Sequence, residues 1–226
     1  MITMTRTKLC DRVLPDYTKG EEIFNMTSHI IGSVFGIAAL VLTIIAAASH
    51  NNTWGVVGSA IYGTTMILLY TMSSVYHGLK PSTAKKVMQV IDHCTIYLLI
   101  AGSYTPVVLC NIREVSRGWG WSLFGIVWGF AVLGIVFTAI DLKKYAVFSM
   151  ICYLGMGWCI VFAAKPALAS IEPKGIFWLL LGGIAYTIGA VLYGLGKKKR
   201  YMHSIFHLFV LAGSILQFFC ILFYVV

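Results

Sequence analysis

His203 and His207 stand four residues apart in the stretch KKKRYMHSIFHLFVLAGSILQF (197–218), which is almost wholly apolar after its four leading cations. On a helix that spacing puts both imidazoles on one face, one turn apart. Ser73 and His77 repeat the relation inside SSVYHGL (73–79), and Asp92 is the one acid expected inside an apolar run. Three neutral imidazoles from two helices form a common zinc shell, whose fourth position holds a water with its pKa lowered to about 7. A nearby carboxylate can take that water's proton, a role Asp92 would suit. The competing reading is bland. An H-x-x-x-H pair beside a basic loop can simply stay wet, and a lone Asp can snorkel or bond a neighbouring Ser. Gathered at one depth the set carries more weight, because ionisable groups inside a membrane span are costly and tend to be functional.

Composition says what must position these groups. The chain has 226 residues, of which 59% are hydrophobic and 11% charged. Soluble domains carry about 25% charged residues, and the mean hydropathy here is +0.85. The class is an all-α polytopic membrane protein. A crossing helix needs about 20 mostly apolar residues, and seven such runs are expected, at 26–48, 54–78, 88–110, 119–140, 145–164, 176–195 and 202–225. They leave a short tail (1–20) and one seven-helix domain (21–226). The first twenty residues hold no apolar signal-peptide core, so the first span is expected to direct insertion itself.

Basic residues set the expected orientation. Arg6, Lys8, Arg12 and Lys19, then Lys80, Lys85 and Lys86, then Lys143 and Lys144, then the run from Lys197 to Arg200 all fall at one end of the bundle. Only Arg113, Arg117, Lys165 and Lys174 fall at the other. The positive-inside rule puts the N-terminus in the cytoplasm and the C-terminus outside, the reverse of G-protein-coupled receptors. Cations spread over short loops also exclude a nucleic-acid face, which needs them clustered. At 1.5 Å per residue, His77 lies about 4.5 Å from Lys80, Asp92 about 9 Å from Lys86, and His203 and His207 about 4.5 and 10 Å from Arg200. Four residues from three non-consecutive helices therefore share one depth.

Other features rank lower. His50 falls in an outer loop; His29, with Glu22 and Asn25, is expected to line the cytoplasmic mouth or to serve as a cap. His93 lies about 100° around the helix from Asp92, so the two are not expected to face one cavity centre. Cys94 is a candidate soft ligand, though packing suits it better, and six cysteines without C-x-x-C spacing read as buried hydrophobes. Pro106 is expected to kink the third span, and Gly182, Gly183, Ala185 and Gly189 give the sixth a face for close packing. Trp54, Trp119, Trp121 and Trp178 fall near expected outer interfaces. Two polar stripes, one of His203, His207, Ser214 and Gln217 and one of Asp92, Thr95 and Ser103, read as a polar-lined cavity or as interhelical hydrogen bonding.

SSVYHGL (73–79), DHCTIYLLIAGSYTP (92–106), HSIFH (203–207) and EEIFNMTSHIIG (21–32) together resemble the bacterial hemolysin III family, within the progestin and adipoQ receptor superfamily and more distantly related to alkaline ceramidases. The likeness runs from about Tyr17 to the end. It implies seven helices with a cytoplasmic N-terminus in a bacterial cytoplasmic (inner) membrane, and zinc held by His77, His203 and His207. It assigns Asp92 to the metal-bound water and Ser73 to a supporting role beside it. The expected activity is that of a zinc-dependent hydrolase of a lipid amide or ester, with a membrane lipid as substrate. A regulator or receptor with structural zinc and a lipid ligand is the alternative, and a cytolysin the remote one.

Overall fold

The computed structural model describes residues 7–196 and 199–226; Arg6, Lys197 and Lys198, counted above among the orienting cations, lie outside the described residues. Seven helices are long and apolar enough to cross a membrane: α1 (Lys19–Ser49), α2 (Thr53–Gly78), α3 (Thr83–Val115), α4 (Arg117–Ile140), α5 (Ala146–Ser170), α6 (Pro173–Gly196) and α7 (Met202–Tyr224). Large apolar side chains such as Ile30, Val34, Ile37, Val41 and Ile45 lie exposed at helical spacing along α1, as a lipid-facing stripe requires.

Several boundaries differ from the hydropathy reading, each for a local reason. α1 begins at Lys19, not near 26, because Thr18 and Glu21 form a capping box: Thr18 Oγ1 accepts from Glu21 N at 3.2 Å, and Glu21 Oε2 accepts from Thr18 N at 2.8 Å. The earlier start corrects the expectation that Asp92 is the only acid within a span. Glu21 and Glu22 lie in α1, and Glu114 in α3. α3 starts at a Ser82 cap and runs through Pro106, which has no N–H to donate. The expected kink takes the form of a π-helical turn at Val108–Ile112. α5 is interrupted by a 3₁₀ turn at Cys159–Ala163. Its irregular backbone is satisfied by Tyr104, whose hydroxyl donates to Gly157 O at 2.8 Å and accepts from Ile160 N at 3.1 Å, as backbone at membrane depth demands.

Small residues decide where helices approach. Gly182, Ala185 and Gly189 are buried on α6, and a Cβ on Gly182 or Gly189 would meet Gln217 or Phe209 of α7. Gly183 meets nothing, so this face is narrower than the four positions expected. α5 and α6 approach less closely, joined by a hydrogen bond from Trp158 Nε1 to Thr187 Oγ1 at 3.0 Å. The α7 stripe resolves mainly into hydrogen bonds: Ser214 Oγ accepts from Tyr70 at 2.6 Å and lies 2.8 Å from the Tyr186 hydroxyl, and Gln217 donates to Leu179 O. On α3, Thr95 bonds back to Asp92 O, while Asp92 and Ser103 border a cavity.

Residues 7–18 lie across the end of the bundle that holds the His77 and His203 ends of α2 and α7, here the tail end. Thr7 N donates to Asp141 Oδ2, Lys86 Nζ to Cys10 O and Arg200 Nη1 to Asp16 O, at 2.8, 2.6 and 2.8 Å. Burial opposes ionisation of Asp141, yet hydrogen bonds from Thr7, Lys144 and Lys143 outweigh it and hold the carboxyl at about 2. A lowered pKa stabilises the anchored tail above the ordinary carboxylate range, and the gain is lost as pH falls toward about 2.

The α1–α2 contact offers a direct test of packing. A Cβ on Gly63 would lie 2.7 Å from Leu40 Cα, a backbone atom that cannot rotate away, whereas Gly155 has nothing within 4 Å. Gly63→Ala is expected to force α1 from α2 and cost about 1–3 kcal/mol, read as a lower thermal midpoint in detergent; Gly155→Ala should cost no such packing energy.

Candidate metal centre

α2 ends at Gly78 and α7 begins at Met202, so His77 sits in the last turn of one helix and His203 and His207 in the first two turns of the other. All three rings converge through Nε2. His203 Nε2 lies 3.3 Å from His77 Nε2 and 3.0 Å from His207 Nε2, and the ligand atoms of all three fall within 4.8 Å of one another. His77 and His207 are 3% and 1% exposed. Nitrogens bound tetrahedrally at about 2.0–2.1 Å from zinc stand roughly 3.3 Å apart, so the spacing suits a shared cation.

The tautomers point the same way. His77 Nδ1 lies 2.6 Å from Glu22 Oε2. A carboxylate only accepts, so Nδ1 carries the proton and Nε2 presents a lone pair to the centre. Glu22 is held in turn by Lys85, whose Nζ donates to Glu22 Oε1 at 2.7 Å and to Leu79 O at 2.8 Å and sits over the Tyr76 ring. Lys85, counted among the orienting loop cations, lies in the first turn of α3 and is 3% exposed. Such carboxylate–histidine pairs fix ligand orientation and raise basicity.

Two features set the start of α7. Tyr201, immediately before Met202, adopts a left-handed conformation at φ 61°, which costs a non-glycine residue about 1–2 kcal/mol. Its N–H reaches Glu21 Oε1 at 2.6 Å. Glu21 and Glu22, adjacent on α1, thus tie that helix to α7 on one side and to α2 and α3 on the other. Above the site, Tyr17 stacks on His203 at 5.0 Å and 11°. Burial pushes its phenol above the ordinary range, so it covers the histidines as a neutral ring.

Deeper in the bundle lies a cavity of about 120 Å³, bordered by Ser73, Asp92, His203 and His207 and otherwise mostly by apolar side chains of α3, α5, α6 and α7. Two lower-ranked histidines also border it. His29 is 3% exposed and stacks on His207 at 3.8 Å, so it belongs to the buried site and not to an interfacial mouth. His93 shares the wall with Asp92 despite the 100° between them, its Nδ1 bonded to Gln89 O; the cavity is wide enough to span both directions. Cys94 packs toward α4, its Sγ 3.8 Å from Ile135 O. His50 lies at the far end of α1.

A family model described as Haemolysin-III related matches residues 17–218. The chain belongs to the haemolysin III family. It is 42% identical over 205 residues to Hemolysin-3 of Bacillus cereus, covering 91% of this chain and 92% of that protein. A Hemolysin-3 homolog of Bacillus subtilis (strain 168) is also 42% identical, over 210 residues and 93% and 97% of the two chains. The human monocyte to macrophage differentiation factor is 26% identical over 198 residues, 82% of this chain and 77% of its own, in keeping with the wider superfamily.

Lys85 and Tyr17 are site neighbours that sequence reasoning missed, and Glu22, expected with His29 at the cytoplasmic mouth, instead bonds His77. The signal for Glu22 was local: Thr18 three residues before Glu21 marks a capping box, which starts α1 early enough to carry both acids inward. Nothing in the pattern around Lys85 or Tyr17 distinguishes them from solvated residues. Glu22→Gln keeps the shape but removes the charge opposite His77, and is expected to weaken retention of added zinc about 10–100-fold. Competition with a chelator on the folded, purified protein measures this, and unchanged affinity would exclude the carboxylate from the site.

Proposed function

We propose that this membrane protein is a zinc-dependent hydrolase of a membrane lipid, acting on an amide or ester bond. The observation that carries the reading is the convergence of three histidine Nε2 atoms beside an apolar cavity that also holds Asp92 and Ser73. His77, His203 and His207 hold the ion. Zinc bound there would supply a Lewis acid and a water made nucleophilic near neutral pH.

The chain's own groups do the rest. Asp92, 6% exposed, accepts the proton released as water attacks and returns it to the leaving group. Ser73, one helical turn from His77 and 1% exposed, orients the reacting oxygen by hydrogen bonding. The mostly apolar walls keep bulk water from the acyl chain, and lipid enters laterally from the bilayer. The tail end faces the cytoplasm, on the distribution of basic residues, and the chain resides in the bacterial cytoplasmic membrane.

Two experiments decide between catalyst and scaffold. Metal analysis should find about one zinc per chain, as a single three-histidine site requires, strongly reduced by Ala at any of the three histidines and unaffected by His50→Ala. Asp92→Asn should keep its zinc yet lower turnover about 10²–10⁴-fold, seen as loss of the lipid change that wild-type protein causes in membrane lipid profiles. A variant that holds zinc and remains fully active would sink the hydrolase and favour a lipid-sensing regulator. Orientation is tested separately: a reporter after Val226 should read outside and one at Lys143–Lys144 inside, and the reverse pattern refutes the assignment.

A further inference from the structure

The tail closes a second cavity, of about 610 Å³, against the ends of α3, α5 and α6. It adjoins the cavity at the histidines, because His93, Met150, Tyr153 and Tyr193 border both. One group in its wall has no role in the fold. Arg12 Nε and Nη1 are shielded from solvent and have no hydrogen-bond partner among the described residues. A guanidinium is always charged and offers five donors in a planar fork. Leaving such donors unpaired away from water is costly.

The nearby carboxylates are engaged elsewhere. Asp141 accepts from Thr7, Lys143 and Lys144, and Asp16 faces Arg200. Asp11 borders the cavity but is exposed. Beside Arg12 the wall turns apolar and open: Val13 and Val147 are 87% and 71% exposed. Lys143 adds a second cation at the rim. A cation with free donors, flanked by exposed aliphatic side chains where the bundle meets the membrane surface, matches a ligand that is anionic at one end and a hydrocarbon at the other.

We infer that Arg12 binds the phosphoryl group of a lipid headgroup, its fork taking two phosphate oxygens. The inference rests on the hydrolase reading and sharpens it. A lipid held at Arg12 extends past His93 and Tyr153 toward Asp92 and the histidines, so the substrate class is a phosphate-bearing lipid. Inorganic phosphate shares the anionic chemistry but makes no use of the apolar flank.

Full-length protein in detergent is equilibrated with mixed micelles of phosphatidylglycerol and diglucosyldiacylglycerol, a lipid without phosphate, and retained lipid is counted by native mass spectrometry. Wild type should retain phosphatidylglycerol in preference. Arg12→Gln should lower that retention about tenfold, the scale of one lost charge-assisted pairing. Arg12→Lys should restore part of it, and Lys8→Gln, an exposed tail cation outside the cavity wall, should leave it intact. Equal retention of the two lipids, or of phosphatidylglycerol by wild type and Arg12→Gln, overturns the inference. So does displacement of the lipid by inorganic phosphate alone, which would assign the site to a soluble anion. Zinc measured on the same samples separates the two readings: a metal-free wild type refutes the hydrolase, whereas the lipid ratio judges Arg12.

Discussion

Imidazole nitrogens that face one another at 3.3 and 3.0 Å, as His77 and His207 face His203, repel through their lone pairs unless a proton or a cation lies among them. The tail end of the bundle is arranged around that constraint. A shared proton can serve one His–His pair, but His203 Nε2 has two neighbours, at 3.3 and 3.0 Å. Glu22 settles the tautomer of His77 by accepting a hydrogen bond from Nδ1–H, which leaves the Nε2 lone pair facing inward. The arrangement gathers negative charge density at one point, which a metal ion held by the three histidines could balance.

Holding that geometry takes charges that are themselves expensive. Lys85 and Glu22 form an ion pair with the lysine buried, and removing one member of such a pair typically costs about 3–5 kcal/mol, because the other is stranded. The pair is satisfied on both sides: Lys85 also donates to Leu79 O, and Glu22 also accepts from His77. The adjacent Glu21 performs the parallel service for α7, accepting from the strained Tyr201 at the turn that launches His203 and His207. Two consecutive acids on one helix thus fix the relative placement of the helices that carry the three histidines.

The number of helices and the histidine set were legible because both follow from one-dimensional periodicity. Apolar length counts membrane crossings, and i, i+4 spacing places His203 with His207 and Ser73 with His77. Depth could be read as well, since the rise per residue is fixed. What could not be read was which residues near a helix end turn inward. Lys85 counts as a loop cation in any charge tally, and only its partners across the bundle show that it is buried. His29 was undervalued for the same reason: its site neighbour, His207, is 178 positions away. Pro106 announced an irregularity but not its form, since a kink and a π turn both relieve a missing donor.

A hydrolytic centre for lipids must receive water and hydrocarbon from different directions without mixing them, and the proposed reading assigns the two to the tail end and to the side of the bundle. On that reading water would enter from the tail end, where Tyr17 lies flat on His203 and the tail is tethered by hydrogen bonds to Asp141, Lys86 and Arg200. Hydrocarbon, on the same reading, would reach that point from the side, through walls that are mostly apolar but also carry Asp92, Ser73, Ser103, Thr187, three tyrosines and the histidines. The tail contributes to both routes, covering the site with Tyr17 and closing the lateral cavity with Arg12. It therefore forms part of the site's wall. On the proposed reading, the same few hydrogen bonds that anchor it would govern both water entry and headgroup binding.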